Sequence, residues 1–378
     1  MRNWNQEIHT ANRERIDKMT SKLRRSLQQL QLINEVRQIP QTRYQGSKLK
    51  LLPWIWDHIA DLSFSSALDA FGGTGSVSFL LKSKGKRVTY NDILKSNFTI
   101  GKALIENRSV TLWPKDCPDL TIRVPGRQYD NFVRRTFKDI YFTDEENEWI
   151  DITTQNITAL ENEYQRALAF YALFQASIIK RPYNLFHRAN LYMRTSDVER
   201  GFGNKVTWDK PFDEHFRNFL GAGSHAVFDS GLECRTENRD VFELGTDHEL
   251  VYIDPPYMNK NGLGPDYFDF YHFLEGLVQY QAWPERIDQG KKHLPLKAEG
   301  KSVWLDKNRV HKAFDDLFAK FSKSILVVSY RNDGVPTAQE LHDILKRHKS
   351  HIKSFSNKPY KYVLSSNGES HESLLVGI

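Results

Sequence analysis

Val251-Tyr252-Ile253-Asp254-Pro255-Pro256-Tyr257 runs from an apolar triplet into an acid, two prolines and an aromatic ring. The triplet reads as a buried strand that must stop at the prolines, which lack a ladder donor and restrict the residue before them. Asp254 therefore stands at the carboxyl edge of a strand, where ligands bind in an open α/β sheet. An acid there can equally well cap a loop, so its neighbours have to decide. Pro255 and Pro256 hold the backbone and turn its carbonyls toward whatever Asp254 faces, while Tyr257 offers a flat surface beside them. One carboxylate, one fixed carbonyl and one ring suit a planar group bearing an NH₂, such as a nucleobase.

Toward the N-terminus, Ser66-Ala67-Leu68-Asp69-Ala70-Phe71-Gly72-Gly73-Thr74-Gly75-Ser76-Val77-Ser78-Phe79 predicts a strand, a glycine turn and a helix. Gly72, Gly73 and Gly75 let the backbone approach a ligand closely. A second short strand, Arg87 to Tyr90, ends in Asn91-Asp92, where an acid can accept hydrogen bonds from ribose hydroxyls. The spacing of Gly73 and Gly75 partly imitates a nicotinamide-binding fingerprint. Against that reading, Ser78 stands in place of the third glycine, and Asp69 would repel a pyrophosphate while it could face an ammonium or sulfonium charge. Further upstream Gly46 permits a tight path, and Ser47 can cap a helix starting near Lys48. The helix N–H groups and the Lys48 ammonium then make a site for a carboxylate or a phosphate. S-adenosyl-L-methionine has ribose hydroxyls, a carboxylate and a positive charge, and so matches Asp92, Lys48 and Asp69 together. Asp240-Val241, ahead of the central strand, would suit its adenine, although a plain loop acid fits almost as well.

The chain has 378 residues, more than one ordinary domain, which predicts two lobes or one core with a large insertion. Its 39% hydrophobic and 26% charged content is that of a globular protein, and no apolar run reaches membrane-spanning length. Met1-Arg2-Asn3-Trp4 opens no apolar signal segment, so a cytoplasmic protein is expected. Two cysteines, Cys117 and Cys234, cannot form a disulfide framework and lack metal-ligand spacing; no metal is expected. The net charge of +6 favours a polyanionic partner.

From Glu106 to Glu233 the alternation of strand and helix lapses. A helix over 153–180 is predicted from Ile157, Leu160, Tyr164, Leu168, Tyr171 and Phe174 at helical spacing. In the segment that follows, cations, amides and rings alternate, as on a surface that touches phosphates and bases. Lys180, Arg181, Tyr183, Asn184, Arg188 and Asn190 are the candidate DNA contacts, extended by Arg194 and Arg200. A structural insertion between lobes is the plainer alternative. An amphipathic N-terminal helix over 10–35, a mobile loop at Gly262, Gly264 and Pro265, and a surface connection over 288–301 are also expected. The closing part predicts a buried strand over 324–330, a helix capped by Thr337 and Glu340, and strands over 360–364 and 372–378 joined by a turn at Asn367-Gly368.

In this order the segments resemble the D12 class of DNA N6-adenine methyltransferases, the group with the alpha order of motifs that includes Dam-like enzymes. Tyr44 to Lys48 looks like that family's N-terminal cofactor motif, Asp69 to Gly75 like its glycine motif, and Asp254 to Tyr257 like its catalytic tetrapeptide. Lys180 to Asn184 is similar to a segment of its target-recognition region, and Ser365 to Gly368 with Glu372 to Leu375 resembles its closing hairpin. The similarity spans most of residues 38–378. It implies an α/β doubly wound, Rossmann-like sheet with a largely helical target-recognition lobe inserted. The expected division is an arm over 1–37, catalytic parts over 38–107 and 234–378, and an insertion over 108–233. Tyr44 and Phe71 would join the cofactor site through their motifs. The implied reaction is direct methyl transfer from S-adenosyl-L-methionine to N6 of an adenine flipped out of double-stranded DNA. Asp254 and the Pro255 carbonyl would accept the amine hydrogens while Tyr257 stacks on the base. A monomeric modification enzyme with a separately encoded restriction endonuclease is the expected setting. Methylation of cytosine N4 or RNA, or a silent DNA-binding homologue, are the alternatives.

Overall fold

The computed structural model describes residues 39–196, 205–298, 300–357 and 371–378. The predicted N-terminal helix, Arg200, the strand over 360–364 and the Asn367-Gly368 turn lie outside the described residues.

The main sheet is built from β1 (Ser66–Asp69), β2 (Arg87–Asn91), β3 (Arg235–Glu237), β4 (Leu250–Ile253), β6 (Ile325–Arg331), β8 (Ile352–Ser356) and β9 (Glu372–Gly377), while β5 (Met258–Asn259) and β7 (Gly334–Val335) form a separate pair. Its order is β3-β2-β1-β4-β6-β9-β8. The strands from β3 to β6 pair in parallel, and β9 runs antiparallel to both β6 and β8. Chain order reverses between β1 and β4, which places a ligand crevice beyond their carboxyl ends. This is the doubly wound α/β sheet expected from the sequence.

Successive side chains of the central strands enter opposite faces. Leu250 and Tyr252 of β4 join one apolar cluster, Val251 and Ile253 the other. Burial on both faces explains why the strand reads as a continuous apolar run without alternation. Helices Leu52–Ile59 and Ser76–Ser83 contribute to the first cluster, and helices Val310–Lys320 and Ala338–Leu345 to the second. The insertion shares the first cluster through Leu168, Phe174, Phe216 and Leu220, where helix Glu163–Ile179 packs on helix Phe212–Ala226. The lobe is thus built onto one face of the sheet.

Local chemistry corrects two expectations. The helix foreseen over 153–180 is two, Asp144–Thr158 and Glu163–Ile179. Asn162 breaks it by accepting from the backbone N–H groups of Tyr164 at 3.0 Å and Gln165 at 3.1 Å, which is stronger local chemistry than the continuing apolar period. The helix expected at Lys48 begins at Leu52 after a 3₁₀ turn over Leu49–Leu51, with Pro53 in its first turn; Ser47 does not cap it. The loop after Tyr257 is tied by the β5–β7 pair and by Asn259 N–H donating to the Leu263 carbonyl at 2.8 Å. Edge strand β8 was not anticipated: it is only half covered, so its residues carry a weak pattern.

Candidate active site

The carboxyl ends of β1, β2 and β4 open onto a cavity of about 570 Å³, within the range of small-molecule sites. Its wall gathers segments far apart in sequence: Tyr44 to Lys48, the glycine turn, Asp92, Asp240-Val241, and Asp254 with Pro256.

The glycine turn is shaped by its neighbours. A Cβ on Gly72 would come 2.1 Å from the ring of Tyr90, whose hydroxyl donates to the Gly73 carbonyl at 2.7 Å. Gly73 and Gly75 have φ of 52° and 74°, in the left-handed region that favours glycine. A Cβ on Gly73 would meet nothing nearer than the Phe71 carbonyl at 4.0 Å and would stand in open space beside the cavity. Asp92 accepts from the N–H groups of Gly73 and Leu94, both at 2.8 Å, and from Asn97 Nδ2 at 3.1 Å. Burial nevertheless pushes its carboxyl up to about 6. Burial also takes Asp69 up to about 7, although the Ser78 hydroxyl donates to it at 2.7 Å. Ser78, the residue that departs from the nicotinamide fingerprint, is therefore the partner of Asp69.

Tyr44 is buried, with its ring stacked 3.9 Å from Tyr271, whose hydroxyl accepts from Gln45 N–H at 2.7 Å. Gly46 lies against Tyr267: an added Cβ would fall 2.4 Å from that hydroxyl. The N-terminal motif is thereby fitted to helix Tyr267–Val278. Gln45 Oε1 and Asn97 Oδ1 are buried acceptors without a partner among the described residues, and both residues line the cavity. Buried acceptors of that kind call for a donor-bearing ligand.

At the β4 end, Lys48 Nζ lies 2.9 Å from Asp254 Oδ1 and 3.1 Å from Glu372 Oε1, and the Ser329 hydroxyl donates to Glu372 at 2.7 Å. The Lys48 ammonium is committed to two carboxylates of its own chain, which corrects the expectation of an open anion site there. Burial works against the Lys48 cation, yet Asp254 and Glu372 hold it well above the ordinary lysine value. Asp254 is shifted upward, because burial and the Glu372 charge outweigh the pull of Lys48. Pro255 is buried, and the Tyr257 ring rests edge-on to Tyr330 at 5.5 Å with the Arg331 guanidinium 5.5 Å from its centre.

The lobe treats its candidate contacts differently. Arg181 is 1% exposed and donates to the carbonyls of Leu185, Tyr141 and Arg188 at 3.0–3.1 Å and to Asn190 Oδ1. Lys180 is 2% exposed and pairs with Glu146 at 2.8 Å. Lys180, Arg181 and Asn190 therefore face inward in this structure; enclosed carbonyls and a carboxylate satisfy what the sequence presents as a cationic surface. Tyr183 and Arg188 are exposed and Asn184 is half-buried; Tyr183 and Asn184 both have φ of 60°.

Ala298, Gly300 and Lys301 of the stretch expected as a surface connection, with Ser302 to Leu305 just after it, supply further wall. Trp304 packs edge-on to Phe71 at 5.1 Å and parallel to Phe242 at 6.0 Å. Val303-Trp304-Leu305, an apolar triplet in polar sequence, was the available signal. Among the described residues no group of three His, Cys, Asp or Glu side chains is placed to hold a metal, and no helix is long and apolar enough to cross a membrane.

Comparison with known proteins adds a family and several relatives. The model of the D12 class N6 adenine-specific DNA methyltransferase family matches residues 44–333. The chain is 30% identical over 346 residues to the Type II methyltransferase M2.HphI of Haemophilus parahaemolyticus, covering 89% of this chain and 96% of that protein. It is 28% identical over 331 residues to the Type II methyltransferase M.FokI of Planomicrobium okeanokoites, covering 81% of this chain and 47% of the other. With the Type II methyltransferase M.CviAII of Paramecium bursaria Chlorella virus 1 it shares 25% identity over 352 residues, 88% and 96% of the two chains.

Proposed function

The chain belongs to the D12 class of N6 adenine-specific DNA methyltransferases, and from that premise we propose that it methylates N6 of adenine at a defined site in double-stranded DNA. The observation that carries this reading is Asp254 at the end of β4, opening into the same cavity as the glycine turn. The relatives are named Type II methyltransferases, which supports a modification role beside a separately encoded endonuclease. One cavity and one tetrapeptide suffice for one strand at a time, so the working unit is a monomer.

The residues present fit S-adenosyl-L-methionine. Asp92 would take the ribose hydroxyls. Asp69, Gln45 Oε1 and Asn97 Oδ1 offer acceptors to an ammonium group and further donors, and Gly73 leaves room for close approach. Val241 and Phe71 supply apolar wall for the adenine ring, with Asp240 at its edge. When bound, the cofactor supplies an electrophilic methyl group on a sulfonium.

The chain's own task is to prepare a weak nucleophile. The amino nitrogen of adenine delocalises its lone pair into the ring. Asp254 and the Pro255 carbonyl would accept its two hydrogens, drawing the nitrogen toward tetrahedral geometry and stabilising positive charge as it develops. Pro256 keeps that lip rigid, and Tyr257 would stack on the extruded base. Tyr183, Asn184 and Arg188 are the exposed candidates for contact with DNA.

The test is incubation with methyl-labelled cofactor and unmethylated DNA, followed by digestion and separation of nucleosides. Label in N6-methyladenine at one sequence is the expected result. Label in N4-methylcytosine, or none across varied DNA, removes the reading.

A further inference from the structure

Glu372 is 1% exposed at the start of the C-terminal strand, 118 positions from Asp254 in sequence, and it reaches the catalytic acid through one shared ammonium. Lys48 stands between the two carboxylates, 2.9 Å from one and 3.1 Å from the other. The Ser329 hydroxyl orients Glu372 from β6. Tyr252 and Tyr267 feel the charges of this cluster, Asp69 feels the charge of Asp254, and Arg331, the β6 partner of Glu372 in the sheet register, is paired with Asp333. Two carboxylates on one cation leave a net charge of −1 in a buried site. Such a group can take one further proton without becoming positive.

We propose that Glu372 is a positioning residue and proton sink for the catalytic site, acting on Asp254 through Lys48. This rests on the methyl-transfer reading above. As the nitrogen–carbon bond forms, the sulfonium–carbon bond breaks and its electron pair stays on sulfur. The amine proton then leaves for Asp254. Lys48 first gives one of its protons to Glu372, turns the freed lone pair toward Asp254 and takes the proton that Asp254 received. The ammonium is regenerated, Asp254 is again an acceptor, and the proton rests on Glu372 until product leaves.

The first readout needs neither cofactor nor DNA. In protein carrying carbon-13 carboxyl label in aspartate and glutamate, the Asp254 signal of the wild type should titrate above the ordinary aspartate range. Glu372→Gln should move the Asp254 midpoint down by about one pH unit. Glu372→Asp should restore it in part. Ser329→Ala, which withdraws a donor from the Glu372 carboxylate and so favours its neutral, protonated form, should also move it down, by less, and keeps the test alive if Glu372→Gln does not fold. The second readout is turnover: Glu372→Gln should lower kcat by about 100-fold with little change in KM for DNA, and its acid limb should follow the Asp254 midpoint. An Asp254 midpoint indifferent to Glu372→Gln and Ser329→Ala overturns the inference. If the midpoints shift as stated but the wild type makes no N6-methyladenine, the coupling stands and the methyl-transfer reading fails, taking the proton-sink role with it.

Discussion

Two buried ionic clusters in this protein are mirror images. Beside the cavity, one cation, Lys48, serves two carboxylates, Asp254 and Glu372. In the lobe, one carboxylate, Glu146, serves two cations, Lys180 at 2.8 Å and Arg194 at 2.6 Å. The first has charge left over for an incoming donor, and its acid is pushed upward; the second is closed by a capping box with Thr143 and by neighbouring carbonyls. Burial alone would raise Glu146 as well, but Arg194 and Lys180 outweigh it and hold the carboxyl below the ordinary glutamate value. Buried charge therefore marks a reaction site only where the ions are not fully spent on one another.

The sharpest break in this comparison is Asp254→Ala. It should cut formation of N6-methyladenine by about 10³-fold, with the melting transition preserved. Loss of folding instead would make the two clusters alike. Glu146→Ala should do the reverse, leaving Lys180 and Arg194 without their carboxylate at about 3 kcal/mol of stability, read from denaturant midpoints, while the folded fraction keeps its turnover.

pH separates the clusters next. The reaction needs the Asp254 carboxylate, so kcat/KM should fall as pH drops through a midpoint above the ordinary aspartate value. The stability sign is opposite to that of activity: a raised carboxyl stabilises most when protonated, and its contribution is lost as pH rises through the raised value. Glu146, depressed, contributes at neutral pH and loses its contribution only as pH falls through a value below the ordinary glutamate one. Parallel pH scans of turnover and melting check both. A turnover limb in the ordinary aspartate range would remove the distinction.

The smallest effects concern the exposed part of the lobe. Tyr183→Ala should weaken DNA binding by about 10-fold, the worth of one stacked base. Arg188→Ala should reduce the slope of log affinity against log salt by about one. An equal change in salt slope from Arg181→Ala would contradict the inward placement of that side chain.

What could be read from residues alone follows from what is local. The strand before Asp254 is apolar because both faces of β4 are covered; the glycines at 73 and 75 meet a positive-φ turn; Thr337 and Glu340 sit three apart and form the capping box observed. Those features need no knowledge of distant chain. The exposure of Lys180, Arg181 and Asn190 was misread because a guanidinium looks the same in sequence whether water or enclosed carbonyls satisfy it. Trp304 was passed over because its packing partners, Phe71 and Phe242, are far from it in the chain.

The sequence by itself determined the sheet class, the order of the segments that line the cavity and the acid that stands at the end of β4, since each is written in a short run of backbone preference and side-chain chemistry. Only the tertiary structure decided that Lys48 belongs to Asp254 and Glu372, and that Lys180 and Arg181 turn inward. Coulomb attraction and desolvation depend on distance in space, and only the folded chain brings Lys48 within about 3 Å of both Asp254 and Glu372.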